Sequence, residues 1–186
     1  MAVEVFFDYT CGFSNRARHW LDGLEDVEFV WRPFSLLEQN RGDASSVFDR
    51  ADNVSLIALA VHEAVRAAGA DVDAYRRRMF SAWHEGSGRL STEDIVGFGS
   101  AAGLSGFDHR EAFALLAGEH AEAKRLGVFG TPTIVFGLTD LAYVKLDAAP
   151  QPGRERLVWE QLQGLGHRTP ELREWQRVTA PEGAGG

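Results

Sequence analysis

The sequence has a single cysteine, Cys11, among its 186 residues. One cysteine cannot form an intramolecular disulfide, so the fold must be stable without a disulfide framework. Long hydrophobic runs are missing as well, since no segment approaches the roughly 20 apolar residues that span a bilayer. The first ten residues carry no basic leader and include Glu4 and Asp8, which is unlike a secretory signal peptide. We therefore expect a soluble, cytoplasmic protein without a membrane partner.

Positive charge is also scarce. The chain has 19 lysine and arginine residues against 27 aspartate and glutamate residues, a net charge of -8, and no extended basic tract. Because binding to a phosphate backbone relies on clustered positive charge, this composition argues against nucleic acid as the main partner. None of the six histidines forms a pair with the spacing of a zinc-protease motif. We predict no metal site and expect surface or structural histidines.

The first third of the chain has the pattern of a β-α-β unit. Residues 3–8, "VEVFFD", form a short β-branched and aromatic run that is typical of a buried strand. Apolar residues then recur at helical spacing from Phe13 onward. A second strand is predicted over residues 27–34, stopped at Pro33 because proline lacks a backbone donor.

The remainder of the chain is predicted to be helical and then to return to strands. From about residue 48 to residue 126 the pattern indicates three or four helices, the last of them ended by Gly127. Strand patterns follow at residues 131–137 and 141–147, joined by a short hairpin link. A final helix is predicted at about residues 154–165.

This order of segments predicts an α/β fold in which helices are inserted between two halves of one sheet. We expect a single domain over residues 1–178, with the helical insertion at about 38–127. The Pro/Gly-rich end, residues 179–186, predicts a disordered tail.

Cys11 stands where the first strand gives way to a helix. At the first turn of that helix, unpaired backbone N–H groups and the helix dipole would stabilise a thiolate. Ser14 lies three residues further on, one helical turn away, and is placed to donate a hydrogen bond to that thiolate. Gly12 leaves backbone room for a substrate, and Phe13 completes the candidate binding turn. The alternative is that Cys11 is a small buried hydrophobic residue, the more common fate of a free cysteine.

A second candidate site segment is "VFGTPTIVF", residues 128–136. Pro132 opens the predicted strand, and the Thr131–Pro132 bond is either trans, the more frequent form, or cis. A cis bond would turn the backbone of Thr131 outward, where an extended substrate could pair with it. The sequence leaves both forms open.

Three segments, "FFDYTCGFS", "VWRPFSLLEQN" and "GVFGTPTIVF", resemble the DsbA-like family of the thioredoxin fold. This group includes FrnE-type proteins, 2-hydroxychromene-2-carboxylate isomerases and kappa-class glutathione transferases. The resemblance implies a thioredoxin fold with an inserted all-helical subdomain, Cys11 as nucleophile and Pro132 as the family's cis-proline. It also implies that Thr131 contacts the substrate backbone. Where redox members commonly carry Cys-Pro-x-Cys, this chain has Cys-Gly-Phe-Ser, so Ser14 puts dithiol oxidase activity in doubt.

The leading hypothesis is a monothiol thiol–disulfide oxidoreductase that acts through Cys11 on a disulfide-containing small molecule or protein. Glutathione or another low-molecular-weight thiol would be the co-substrate, with no tightly bound cofactor. The second hypothesis is a glutathione-dependent isomerase or transferase, and the third is a non-catalytic binding protein of the same fold. Cys-Gly-Phe-Ser is also the motif of monothiol glutaredoxins, which hold iron–sulfur clusters, but those proteins are smaller and lack the helical insertion.

Overall fold

The computed structural model describes residues 2–41, 46–49, 52–87, 89–137 and 140–166, so the predicted tail at 179–186 lies outside the described residues. The strands in this part of the chain are β1 (Val3–Phe7), β2 (Phe29–Pro33), β3 (Thr133–Phe136) and β4 (Asp140–Tyr143). The helices are α1 (Gly12–Leu21), α2 (Leu36–Gln39), α3 (Val54–Ala67), α4 (Val72–His84), α5 (Thr92–Ala101), α6 (His109–Leu126) and α7 (Glu155–Gly166), with a 3-10 turn at Val47–Asp49.

The four described strands form one mixed sheet in the order β2-β1-β3-β4. β1 and β2 pair in parallel, as the connecting helix α1 requires, whereas β3 is antiparallel to both β1 and β4. Helices α2 to α6 lie between β2 and β3 in the chain. The predicted thioredoxin fold with inserted helices is therefore confirmed.

Strand β4 is shorter than the sequence pattern predicts, because it ends at Tyr143 rather than near residue 147. The Val144 N–H still donates to the Pro132 carbonyl at 3.0 Å. Proline has no N–H to return a second bond, so the ladder cannot continue past this pair. The chain then turns, and the Leu146 carbonyl accepts a hydrogen bond from Arg16 Nε at 2.6 Å.

The inserted helices and the sheet share one aromatic core. Phe7 of β1 has edge-to-face contacts with Tyr9 at 4.9 Å and with Trp31 of β2 at 5.6 Å between ring centroids. Phe80 of α4 lies 5.5 Å from Phe7 and 4.9 Å from Tyr9. These rings are almost fully buried, so they stabilise the fold both by removing apolar surface from water and by favourable ring–ring contacts. The core thus joins α4 to the strand that leads to Cys11.

A network of charged side chains, centred on the buried Glu119, also connects the sheet with the inserted helices. Arg32 of β2 forms ion pairs with Glu4, at 3.0 Å, and with Glu119 of α6. Glu119 also accepts from Arg66 of α3 at 3.0 Å, and Arg66 pairs with Glu63 one turn earlier. Burial raises the pKa of Glu63, and its hydrogen bond to Arg66 partly offsets that rise. The five side chains form one connected network across β1, β2, α3 and α6.

His62 of α3 lies inside the core beneath the end of β1. Its Nε2 is 3.2 Å from the Trp31 carbonyl, which can only accept, so Nε2 carries the proton and Nδ1 accepts from the Tyr9 hydroxyl at 2.8 Å. Burial lowers the pKa of His62 to about 3, with Arg76 and Arg66 contributing in the same direction. The native protein therefore holds a neutral imidazole at this position.

We expect this neutral imidazole to make the protein sensitive to mild acid. An unfolded chain binds a proton at this histidine near pH 6.5, whereas native His62 stays neutral to about pH 3. The stabilisation is complete above pH 6.5 and is lost as the pH falls toward 3. The stability advantage of the native protein over His62→Gln should shrink by about 2 kcal/mol between pH 7 and pH 5. Urea unfolding of both proteins measures it, and an advantage that does not change with pH would contradict the prediction.

Candidate active site

Cys11 occupies the N-cap position of α1. Its backbone is extended, with φ -82° and ψ 113°, and its carbonyl accepts the first helical hydrogen bond from Asn15 N at 3.0 Å. Its own N–H donates to the Asp8 carbonyl at 3.1 Å. The side chain is 8% exposed and makes no capping hydrogen bond to α1. The sulfur therefore lies at the helix N-terminus, as the sequence predicts, but does not bind the first-turn amides.

The sulfur contacts the second predicted segment instead. Cys11 Sγ donates to the Thr131 carbonyl at 3.3 Å, across 120 residues of sequence. The Thr131–Pro132 peptide bond is cis. Thr131 is buried, and its Oγ1 has no hydrogen-bond partner among the described residues. The fold thus brings together Cys11, Thr131 and Pro132, which the sequence singled out separately.

Ser14 occupies a different environment from the one predicted. Its side chain is fully buried, and its Oγ accepts from the Asp8 N–H at 3.4 Å. Within the described part of the chain, no hydrogen bond joins Ser14 to Cys11 Sγ. Ser14 shares the inward face of α1 with Ala17 and Leu21, three and seven residues further on. The hydroxyl therefore connects the helix to the end of the strand rather than to the sulfur.

Asp8 is a site residue that sequence reasoning did not identify. One carboxylate oxygen accepts from both the N–H and the hydroxyl of Thr10 at 2.8 Å, and the other accepts from Leu36 N at 2.8 Å. Burial raises the pKa of Asp8, and these hydrogen bonds lower it in part. Asp8 therefore fixes the turn before Cys11 and attaches it to the start of α2. The Asp-x-Thr spacing at a strand end is an Asx-turn signal that could have revealed it.

His84 supports the same turn from the inserted helices. Its Nε2 lies 2.7 Å from the Tyr9 carbonyl, two residues before Cys11. The carbonyl can only accept, so the imidazole donates. Partial burial lowers the pKa of His84, while the bond to Tyr9 acts in the opposite direction. No local pattern in the sequence indicates this contact, which joins residues 75 positions apart.

Gly12 and Phe13 lie between the nucleophile and a group of charged and aromatic side chains. The half-buried Phe13 ring lies 4.6 Å from Arg16 Cζ and 5.6 Å from Lys145 Nζ. A Cβ added at Gly12 would meet Arg16 Nη1 at 3.6 Å, an ordinary contact distance. Gly12 is therefore not required by a local clash, and its lack of a side chain leaves the Cys11 turn open beside the guanidinium.

The described residues contain no group of three or more histidine, cysteine, aspartate or glutamate side chains arranged to bind a metal ion. Within the same ranges, no helix has the combination of length and apolar character that crossing a bilayer requires.

Solved structures with the same fold include several disulfide oxidoreductases and an isomerase. The cytosolic disulfide reductase DsbM from Pseudomonas aeruginosa, solved with GSH, aligns at TM-score 0.55 and 20% identity over 89% of this chain and 100% of its own. DsbA from Proteus mirabilis, solved with a non-covalently bound peptide, gives 0.56 and 13% over 86% and 85%. A 2-hydroxychromene-2-carboxylate isomerase gives 0.55 and 16% over 94% and 100%.

At these identities, the structural similarity shows the fold alone. No curated protein sequence matches the chain. The sequence model of the DsbA-like thioredoxin domain matches residues 2–147, which include Cys11, the inserted helices and the cis Thr131–Pro132 bond. The chain therefore belongs to the DsbA-like thioredoxin domain family.

Proposed function

We propose that this protein is a monothiol thiol–disulfide oxidoreductase in which Cys11 is the nucleophile and a low-molecular-weight thiol such as glutathione is the co-substrate. The observation that carries the proposal is the contact of Cys11 Sγ with the Thr131 carbonyl at 3.3 Å. The only cysteine of the chain thus lies at a helix N-terminus and beside the cis-proline loop, which supports the proposal. An inert packing cysteine requires neither feature.

The proposed reaction has two exchange steps. The Cys11 thiolate attacks one sulfur of a substrate disulfide, so that a Cys11–substrate disulfide forms and the other half leaves as a thiolate. A second thiolate, from the low-molecular-weight thiol, then attacks the substrate sulfur of this mixed disulfide and releases Cys11 as a thiolate. The net change is an exchange of partners between one disulfide and one thiol, and electrons balance without a further oxidant.

The helix N-terminus and the cis-proline loop would contribute differently to these steps. On ionisation, the sulfur loses the proton that it donates to the Thr131 carbonyl, and the first-turn amides of α1 become the nearest class of donor that can stabilise the charge. The Thr131 carbonyl is then free to accept from a substrate N–H, as in strand addition. In this proposal, substrate binding replaces the hydrogen bond that the resting thiol makes.

The proposed reaction needs an external thiol because position 14 is a serine. A hydroxyl cannot displace a sulfur held on Cys11, so the mixed disulfide must wait for a second thiol from solution. The structure of P. aeruginosa DsbM with GSH supports a small thiol in this role. Since the chain has no second cysteine, the native mixed disulfide should be long-lived when no thiol is added.

The lifetime of the mixed disulfide on Cys11 provides the test of the proposed function. We expect native protein treated with oxidised glutathione to form one stable Cys11 mixed disulfide, detected by intact mass. The Ser14→Cys variant should release glutathione at least about tenfold faster by forming an internal disulfide. Peptide mapping locates the modified residue. A native Cys11 that reacts only after the protein unfolds would refute the proposed function.

A further inference from the structure

Five side chains next to Cys11 form a continuous aromatic and cationic surface: Phe13, Arg16, Phe129, Tyr143 and Lys145. Phe129 and Tyr143 contact each other edge to face, with ring centroids 4.8 Å apart. Lys145 Nζ lies 5.2 Å from the Tyr143 ring and 5.6 Å from the Phe13 ring. Arg16 Cζ lies 4.6 Å from the centroid of the Phe13 ring. Each member therefore contacts the next.

This surface lies on both sides of the candidate nucleophile. Phe13 and Arg16 belong to the first turns of α1, which begins directly after Cys11. Phe129 is two residues before Thr131, whose carbonyl contacts the sulfur, and it is 58% exposed. Exposing that much aromatic surface to water is unfavourable, and the free energy falls when a binding partner covers it.

Glycine at position 130 allows the aromatic pair to stand beside the cis-proline loop. A Cβ at this position would come within 2.9 Å of the Tyr143 ring, so any other residue would displace the tyrosine. Tyr143 is itself at the end of β4 and is 37% exposed. The arrangement holds the exposed Tyr143 ring against Gly130, the residue before Thr131, and packs the Phe129 ring on it.

The two cations of the surface, Arg16 and Lys145, have different partners from most arginine side chains of the described ranges. In the described part of the chain, most arginine side chains with a polar contact pair with carboxylates, as Arg18 does with Glu85 at 2.7 Å. Arg16 instead donates to the Leu146 carbonyl, and Lys145 contacts only aromatic rings. Neither has a carboxylate partner among the described residues. In a chain of net charge -8, this is a local reversal of sign.

Cation–π packing by itself would account for the positions of these side chains. It does not account for the location of both charges beside the only thiol of the chain. An electropositive site next to a nucleophile raises the local concentration of anionic reactants and steers their approach. The location therefore indicates a role in substrate selection.

We propose that this surface recognises a carboxylate on the substrate, so that the protein prefers small disulfides whose organic groups are negatively charged. Lys145 and Arg16 would pair with the carboxylate while the disulfide reaches Cys11, and Phe129 and Tyr143 would cover the apolar part of the substrate. The inference rests on the proposed exchange at Cys11 and specifies its substrate class.

Three disulfides of similar size and different charge provide the test. Dithiodipropionate is anionic, hydroxyethyl disulfide is neutral and cystamine is cationic. The rate at which each forms a mixed disulfide with Cys11 is measured by intact mass, for the native protein and for each variant. For each protein, the rate with a charged probe is divided by the rate with the neutral probe. A variant that changes only the intrinsic reactivity of the thiol leaves this ratio unchanged.

We expect Lys145→Gln to lower the ratio of dithiodipropionate to hydroxyethyl disulfide by about fivefold, the effect of one charge at contact distance in water. The ratio for cystamine should rise by a similar factor. The charge-retaining variant Lys145→Arg should restore both ratios toward native values, and added salt should reduce the native preference. The control is Arg110→Gln, which removes an exposed cation at the N-terminal end of α6. That end lies about 24 Å along the helix from the C-terminal end that leads to Phe129, so this variant should change neither ratio.

The outcomes separate the two proposals. If all three probes modify Cys11 and the ratios are the same in native protein, Lys145→Gln and Arg110→Gln, the carboxylate preference is refuted and the exchange chemistry stands. If Arg110→Gln shifts the ratios as much as Lys145→Gln does, net charge explains the preference and the local surface does not. If no probe modifies folded protein, the proposed function and the inference both fail.

Discussion

Replacing Cys11 with serine should lower disulfide turnover by a factor on the order of 1,000 or more, because a serine hydroxyl without a general base is not a nucleophile at neutral pH. The change should leave the fold intact. Cys11 makes one side-chain hydrogen bond, to the Thr131 carbonyl, and a serine hydroxyl can donate to the same atom. We expect the free energy of unfolding to stay within about 1 kcal/mol of the native value.

Turnover is measured with hydroxyethyl disulfide and reduced glutathione, by following oxidised glutathione. Urea unfolding on the same preparations shows whether the variant is folded. A folded Cys11→Ser protein with native turnover would contradict the oxidoreductase proposal. If that variant loses disulfide exchange but keeps a glutathione-dependent activity on a non-disulfide substrate, the isomerase or transferase hypothesis becomes the better one.

The largest stability effect is expected at Glu119. Truncation to alanine leaves the partly buried Arg32 and its neighbour Arg66 without the carboxylate that joins them. Removing one partner from a buried ion pair typically costs about 3–5 kcal/mol, because the remaining charge stays poorly solvated. We therefore expect Glu119→Ala to lower the free energy of unfolding in urea titrations by an amount near the lower end of that range, because Arg32 keeps Glu4 and Arg66 keeps Glu63 as partners.

Glu122 offers a matched control on the same helix. It pairs with Arg125 one turn later, at 2.6 Å, but both side chains are well exposed. Exposed pairs of this kind contribute little to stability because water and salt screen them, so Glu122→Ala should be close to neutral. Equal losses at the two positions would contradict the role of the buried network. If Glu119→Ala does not fold, Glu119→Gln replaces it in the comparison. The glutamine keeps the shape and one acceptor, so its loss in free energy of unfolding should lie between those expected for Glu119→Ala and Glu122→Ala.

Local sequence patterns predicted the order of the strands and of the longer helices, but not the four-residue helix α2. The β-branched and aromatic run of β1, the helical spacing after Phe13 and the glycine that ends α6 are properties of neighbouring residues, so a single sequence contains them. Gly127 does adopt the left-handed conformation, with φ 95°, that this role requires.

The interior of the site was harder to predict. The three-residue spacing correctly placed Ser14 one turn from Cys11, but spacing does not specify which face of a helix is buried. The face that holds Ser14 packs inward and is bound to the Asp8 N–H. The contacts of His84 with Tyr9 and of Glu119 with Arg32 join distant parts of the chain, and no local pattern encodes them.

The bond from His84 to the Tyr9 carbonyl has a consequence for engineering. The turn that presents Cys11 is held by a side chain of the inserted helices as well as by the sheet. Trimming this chain to the size of a minimal thioredoxin, by joining β2 directly to β3, would remove His84 together with His62 and Tyr75, which contact the same strand end. The insertion is thus an integral part of the scaffold rather than a removable accessory, and new specificities are better grafted onto the loop that carries Phe129.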